Sequence, residues 1–152
     1  MKYIIEKEKK MEDVQKKIYE LVIPGPIMSK QRPRMNTRSG KAYTPTKTKN
    51  EEYLTKQMFV MRYPNFDPIE GKVALSIIAC FPIPKGTSKS REAEMLAGIT
   101  APTKKPDWDN IGKLVSDALN KIAYLDDAQI VKVNIIKKYA RVSETIIKVE
   151  EL

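Results

Sequence analysis

Residues 106–130 read PDWDNIGKLVSDALNKIAYLDDAQI, and this stretch holds both the clearest helix and the largest local excess of acids over bases in the chain. A helix from Asp109 to about Ile122 is predicted, because apolar residues recur at i, i+3, i+4, i+7, i+8 and i+11. The residues of this inward face are Ile111, Leu114, Val115, Ala118, Leu119 and Ile122. One segment therefore combines a core-forming face with a concentration of carboxylates.

The acids of this segment fall into two groups. Asp107 and Asp109 stand at or just before the N-terminus of the helix, where the helix dipole favours negative charge, and Asp109 begins a polar stripe that continues through Lys113 and Asp117. The pair Asp126-Asp127 follows the helix and directly precedes a predicted strand. We expect that strand to run back along the helix, toward the end that carries the first group.

Carboxylates that converge on one point repel each other unless a cation lies between them, so convergence would indicate a divalent metal site. A plainer interpretation makes Asp109 a helix N-cap and Asp126-Asp127 a turn, and spacing alone leaves both interpretations open. The chain has no histidine and one cysteine, which excludes a Ser-His-Asp triad, His-bearing zinc sites and a Cys₄ zinc module. Any metal would have oxygen ligands, which favours Mg²⁺, with Mn²⁺ as a substitute.

The charge distribution favours a polyanionic partner. The net charge is +9, yet residues 107–127 contain five aspartates and two lysines, a local net of −3, so the remaining residues carry +12. Residues 21–50 contain seven basic residues and no acid. A metal nuclease needs this combination, a cationic surface for phosphates and a local set of carboxylates for the metal. A basic protein with one acidic helix would have the same composition.

The remaining pattern predicts one α+β domain over residues 18–152, with a mixed sheet of about four or five strands and two main helices packed on it. The charged residues 1–17 are expected to form a tail or a frayed helix, and the lack of an apolar signal segment there favours a cytoplasmic protein. The other predicted elements are a strand at 18–23, a loop or irregular hairpin at 27–45, a buried strand at 71–81, a short helix at 90–97, and a closing hairpin of strands 129–138 and 143–150.

Three side-chain predictions accompany these elements. A second helix begins at Thr48 with a Thr48–Glu51 capping box and turns Leu54, Met58 and Met61 inward. Cys80 lies in an apolar strand and is expected to be a buried core thiol. Trp108 is expected to anchor the core, with a wedge or stacking role as the alternative.

Several spaced motifs together resemble the RusA family of Holliday junction resolvases. The family pattern D-x-D-N-x-x-K-x-x-x-D-A-L, followed by D-D before a strand, is matched by Asp107, Asp109, Asn110, Lys113, Asp117, Ala118, Leu119, Asp126 and Asp127. Further matches are the Ile23-Pro24-Gly25-Pro26 to Arg34 element, Tyr43 to Thr48, and Phe81 to Lys85. The resemblance covers about residues 18–150, and in the family an aliphatic residue often occupies the position of Trp108.

The resemblance implies a function and a set of site residues. The chain would be a Mg²⁺-dependent endodeoxyribonuclease that resolves four-way junctions by paired symmetric nicks, acting as a homodimer in recombination and repair, with a nucleoid location and prophage origin as further expectations. Asp107, Asp109 and Asp127 would bind the metal, with Asp126 as the weaker choice within its pair. Lys113 would be the catalytic lysine, and Asp117 would pair with Lys113 or Lys121 on the helix surface.

A second set of residues is expected to grip DNA phosphates and to make binding salt-dependent. These are Lys30, Arg32, Arg34, Arg38, Lys85, Lys89, Arg91, Lys104 and Lys105. Arg32 and Arg34 are the strongest of them, because Pro33 stiffens the segment that presents them. For most single lysines a solvated surface charge is the simpler interpretation.

Three other functions stay open on sequence alone. A less selective branched-DNA nuclease would carry the same motifs, since selectivity depends on dimer geometry. A catalytically idle, architectural DNA-binding protein would keep the fold, although the full aspartate set with Lys113 argues against it. An unrelated nucleic-acid-binding module with an accidental acidic helix is disfavoured by the several matching motifs.

Overall fold

The computed structural model describes Met1, residues 15–28 and residues 33–152. The prediction of a tail or frayed helix at the N-terminus therefore lies largely outside the described residues. The elements are β1 (Ile18–Pro24), β2 (Arg34–Met35), β3 (Ala42–Tyr43), α1 (Thr46–Arg62), β4 (Val73–Pro82), α2 (Lys89–Leu96), α3 (Trp108–Leu119), a 3₁₀ turn (Asp127–Gln129), β5 (Ile130–Ala140) and β6 (Glu144–Glu151).

The main sheet has the order β1-β6-β4-β5, in which β4 is parallel to β5 and antiparallel to β6. β4 lies between β6 and β5, and its apolar run VALSIIACFP is buried along most of its length. The predicted α+β fold with a mixed sheet is confirmed. Cys80 is buried at 3% exposure, as predicted, and burial raises the pKa of its thiol.

The predicted hairpin between the last two strands is wrong, because β4 lies between β5 and β6. β4 ends at Pro82, which pairs with Ala140 at the end of β5. The chain from Ala140 to Glu144 can therefore pass beyond the end of β4 and return on its other side. This step crosses two strand spacings, about 10 Å, which is within the reach of the connecting residues.

Helix α1 differs from its prediction at its start and on its buried face. It begins at Thr46 after Pro45, with no side-chain hydrogen bond at the cap, so the predicted capping box is absent. The buried residues are Thr48, Thr55 and Phe59, while Leu54 and Met61 are 42% and 78% exposed, and Met58 is half-buried. An aromatic cluster sets this face: Phe59 packs on Tyr19, Tyr63 and Phe66 at ring-centroid distances of 5.1, 5.2 and 6.0 Å.

Helix α3 agrees with its prediction on the buried face and ends earlier. All six predicted inward residues are buried. The helix stops at Leu119, and Lys121 adopts a left-handed backbone conformation, φ 69°. The inner face of the sheet, α1 and α3 share one hydrophobic core, in which Leu21, Ile77 and Ile147 contribute from the strands.

The opposite face of the sheet carries an apolar row, formed by Val22, Ile146, Ile78 and Ile136 on four adjacent strands. Val22 and Ile136, at the two ends, are 48% and 43% exposed. A groove of about 670 Å³ adjoins this row and is also lined by Met58, Met61 and Arg62 of α1. We call this surface the open face.

Candidate active site

Asp107 and Asp109 lie at the N-terminus of α3. Asp107 is the N-cap residue, and its side chain makes no capping hydrogen bond. Its backbone carbonyl accepts the first helical hydrogen bond, from Ile111 N at 3.1 Å. Asp109 is in the first turn and its side chain is 46% exposed. The alternative interpretation of Asp109 as a helix N-cap is therefore wrong, since Asp107 occupies the N-cap and its side chain makes no capping hydrogen bond.

Lys113 lies one turn further along α3, on the same side as Asp109. Its Nζ is 4.0 Å from Asp109 Oδ2, and the two side chains are 66% and 46% exposed. An ion pair this open contributes little to stability. Its two groups can therefore separate at low cost when a charged ligand arrives.

Asp126 is engaged in local structure. Its side chain accepts a hydrogen bond from Ala128 N at 2.9 Å, and Gln129 Oε1 accepts one from Asp126 N at 2.8 Å, which forms a capping box on the 3₁₀ turn. Lys121 Nζ lies 3.5 Å from Asp126 Oδ2. The Ala128 hydrogen bond, with smaller contributions from Asp127 and Lys121, lowers the pKa of Asp126. These contacts make Asp126 a turn-forming residue.

Asp127 is exposed in the same turn, and hydrogen bonds from Gln129 and Tyr124 hold this part of the chain in position. Gln129 Nε2 donates to the carbonyls of Ile69 and Gly71, at 2.8 Å each, which ties the turn to the segment before β4. The buried Tyr124 hydroxyl donates to Ser116 O of α3 at 2.7 Å. Burial raises the pKa of Tyr124, and the negative charge of Asp127 raises it further.

The four aspartates lie on two elements, with Asp107 and Asp109 at the start of α3 and Asp126 and Asp127 at the 3₁₀ turn. Across the described ranges, no three acidic or cysteine side chains are close enough to form a complete metal-binding cluster. The donor chemistry still fits Mg²⁺, since Asp107 and Asp109 supply exposed oxygen ligands from one helix end. Mg²⁺ commonly binds through one or two carboxylates, with waters and substrate phosphates completing its shell.

Trp108 is on the surface, so the prediction of a core anchor is wrong. It is the first residue of α3 and is 66% exposed. The inward face of α3 begins at Ile111 and is filled by aliphatic side chains, which leaves residue 108 outside the core. Sequence reasoning followed the general tendency of tryptophan to be buried.

The predicted DNA-binding residues are exposed wherever they are described. Lys30 and Arg32 lie outside the described residues. Arg34 is in β2, Arg38 in the turn between β2 and β3, and Lys85 in the turn after β4. Lys89 and Arg91 are in α2, and Lys104 and Lys105 precede α3. Their exposure leaves DNA contact as a prediction.

Sequence reasoning missed the residues that hold the site in place. Besides Tyr124 and Gln129, Lys137 of β5 donates to Lys104 O at 2.6 Å and so tethers the segment before α3. The only available signal was position, since Tyr124 and Gln129 flank the Asp126-Asp127 pair. Nothing in the spacing connects Lys137 to Lys104.

The family model of endodeoxyribonuclease RusA matches residues 24–150, and the chain belongs to this family. The uncharacterized protein YqaN of Bacillus subtilis (strain 168) is 30% identical over 138 residues, which cover 88% of this chain and 96% of that protein. The family consists of endodeoxyribonucleases that act on branched DNA. Among the residues that the structure describes, no helix is long and apolar enough to cross a membrane.

Proposed function

We propose that this chain is a Mg²⁺-dependent, structure-selective endodeoxyribonuclease that resolves four-way DNA junctions by paired symmetric nicks. One observation carries the proposal. At the N-terminus of α3, the Asp107 side chain makes no capping hydrogen bond, and two residues further on Asp109 Oδ2 lies 4.0 Å from Lys113 Nζ.

The carboxylates are proposed to bind the metal and the lysine to bind the phosphate. Asp107 and Asp109 would hold Mg²⁺ together with Asp127, whereas Asp126 would keep the turn in shape through its capping contacts. When bound, the metal would polarise a phosphoryl oxygen and lower the pKa of a bound water. The Lys113 ammonium, kept near the site by Asp109, would stabilise the charge that develops on the phosphate or the leaving oxygen.

Phosphate binding would rest on the exposed basic residues. Lys104 and Lys105 stand directly before the carboxylates in the chain, and the Lys137 hydrogen bond holds their backbone at β5. Arg34 and Arg38 lie on and beside the short β2–β3 ladder. The +9 charge of the chain favours association with a polyanion without fixing its sequence.

Paired nicks require two active sites, which we propose a homodimer supplies. A two-fold dimer would place equivalent sites on opposed strands of a junction that has the same symmetry. The open face is the surface that best supports self-association, because its apolar row runs across all four strands and adjoins a groove. Exposed apolar patches of this kind mark interaction surfaces.

The test is cleavage of a labelled mobile four-way junction beside a linear duplex, in Mg²⁺ or EDTA. We expect Mg²⁺-dependent, symmetric nicks in the junction alone, and a loss of at least about 100-fold in rate for Asp109→Asn with junction binding retained. Glu94→Gln is the control, because it removes an exposed carboxylate from α2, outside the acidic segment, and it should cleave like the wild type.

Two outcomes would contradict the proposal in different ways. Junction binding without cleavage in any divalent metal would leave a DNA-binding, architectural protein. Equal cleavage of flaps and junctions would instead indicate a less selective branched-DNA nuclease. Unchanged cleavage by Asp109→Asn would remove the α3 carboxylates from the catalytic site.

A further inference from the structure

Trp108 is the one tryptophan of the chain, and it stands between the two carboxylates at the start of α3. It is 66% exposed, although tryptophan is on average among the most buried residues. Packing in the core therefore does not explain why a tryptophan stands at position 108. An exposed indole between Asp107 and Asp109 in the chain is suited to contact a ligand with an apolar, planar surface.

The backbone that carries Trp108 is held in place on both sides. Before it, Pro106 is buried and Lys104 O accepts the 2.6 Å hydrogen bond from Lys137 of β5. After it, Ile111 N donates to Asp107 O and Ile111 itself is fully buried. The exposed indole is therefore presented from a fixed position, which lowers the ordering cost of a contact made by the ring.

We propose that Trp108 stacks on a nucleobase at the branch point of the junction and so positions the phosphate next to Asp107, Asp109 and Lys113. This inference rests on the proposed function. A base within a continuous duplex has both faces covered by its neighbours, whereas a base at a branch point can offer an open face. An indole beside the carboxylates would thus favour branched over linear DNA.

Stacking also suits a protein whose DNA contacts are otherwise electrostatic. Aromatic stacking tolerates every base, because each base has a π-face, and phosphate contacts by lysine and arginine carry no sequence information. Lys104 and Lys105 stand four and three residues before Trp108. Trp108 would then supply selectivity for structure, and the neighbouring lysines would supply affinity.

Binding can be tested without catalysis, because Trp108 is the only indole that contributes to tryptophan fluorescence. The wild-type protein in EDTA is titrated with a four-way junction and with a linear duplex of the same arms, to equal occupancy by anisotropy. We expect quenching by the junction and little change with the duplex. A junction that carries 2-aminopurine beside the branch point should respond to wild type and to Trp108→Phe, and not to Trp108→Leu.

Cleavage gives the second readout. Trp108→Leu keeps apolar bulk and removes the aromatic face, so its kcat/KM on the junction should fall by about 5- to 140-fold, the equivalent of one stacked base. Trp108→Phe should recover most of this loss. Because the ring is exposed, the thermal midpoints of both variants should stay within about 2 °C of wild type.

Asp109→Asn separates failure of this inference from failure of the proposed function. If Asp109→Asn abolishes cleavage while Trp108→Leu cleaves like wild type, stacking is wrong and the nuclease stands. Equal quenching by duplex and junction would also overturn the branch-point contact. If wild type neither binds nor cleaves the junction, both proposals fall.

Discussion

At the scale of single residues, Tyr124 connects the two halves of the candidate site. Its ring is fully buried, and its hydroxyl donates to Ser116 O of α3 from a position three residues before Asp127. Ionisation would place a negative charge inside the core and remove the donated proton. For this reason burial raises the pKa of Tyr124, and nearby Asp127 adds to the effect.

The first prediction concerns Tyr124→Phe. Loss of the hydroxyl leaves Ser116 O without this donor, so the free energy of unfolding should fall by about 1–3 kcal/mol in urea denaturation. Tyr53→Phe is the control, since Tyr53 is 65% exposed, and its stability should stay within about 0.5 kcal/mol of wild type. Equal losses in the two variants would show that the buried hydrogen bond is not the cause.

The second prediction is the pH dependence of this contact. The pKa of the Tyr124 phenol is higher in the folded than in the unfolded protein. Its contribution to folding stability is therefore complete below its unfolded pKa, about 10, and is lost as the pH rises toward the folded pKa. Above about pH 10, wild type should lose about 1.4 kcal/mol of stability per pH unit through this group. Tyr124→Phe should lack this component in denaturation curves measured between pH 8 and 11.

At the scale of elements, the contact between α3 and β5 sets where the catalytic helix lies. A Cβ added to Gly112 would stand 3.0 Å from Ile135 Cδ1. This spacing is tight, and the neighbouring atom is the end of a flexible side chain. Gly112 therefore lets α3 approach the edge strand closely, with Asp109 and Lys113 on either side of it in the helix.

The third prediction follows from that contact. Gly112→Val should overpack the α3–β5 contact, cost about 1–3 kcal/mol and reduce junction cleavage by displacing Asp109 and Lys113. Adding Ile135→Ala should restore part of the lost stability and part of the lost cleavage. The coupling energy in a double-mutant cycle should be about 1 kcal/mol or more. Additive effects of the two substitutions would contradict direct packing.

At the scale of the whole molecule, charge and the open face determine how the protein meets DNA and a second copy of itself. Five aspartates lie in or beside α3 and the 3₁₀ turn, where residues 107–127 have a local net charge of −3, while the rest of the chain carries +12. The apolar row lies on the sheet face opposite the buried core. The basic residues are therefore expected to bind DNA electrostatically, and the open face is expected to bind a second copy through apolar contacts.

The fourth prediction concerns salt. If six to ten phosphates are contacted, junction affinity should fall by about 10³- to 10⁵-fold between 50 and 200 mM salt, measured by fluorescence anisotropy. Lys105→Ala should lower the slope of log K against log salt by about one. A slope that does not change would place Lys105 away from the DNA.

The fifth prediction concerns the open face. Ile136→Lys should shift a dimer toward monomer in sedimentation equilibrium and uncouple the paired nicks, because it places a charge in the apolar row. Val133→Lys is matched in strand and in kind of change, but Val133 belongs to the other face of β5 and is 51% exposed. We expect it to leave the oligomeric state unchanged, and an equal effect of both would move the interface elsewhere.

Patterns in the sequence were enough to predict the α+β class, the buried face of α3, the buried strand β4 and the family motifs. These features are local or periodic, since a helix with six regularly spaced apolar residues can bury only one side. The same holds for the acidic residues, which are recognisable from spacing within one short segment. The positions of Asp107, Asp109 and Lys113 at a helix start could therefore be predicted.

Which residues lie opposite each other depends on tertiary packing and could not be predicted. Insertion of β4 between β5 and β6, the choice of Phe59 over Leu54 and Met61 as the buried face of α1, and the exposure of Trp108 each depend on partners distant in sequence. The hydrogen bonds from Lys137, Gln129 and Tyr124 are likewise set by packing. Such contacts depend on how neighbouring helices and strands pack, and the residue pattern within one segment carries no information about that packing.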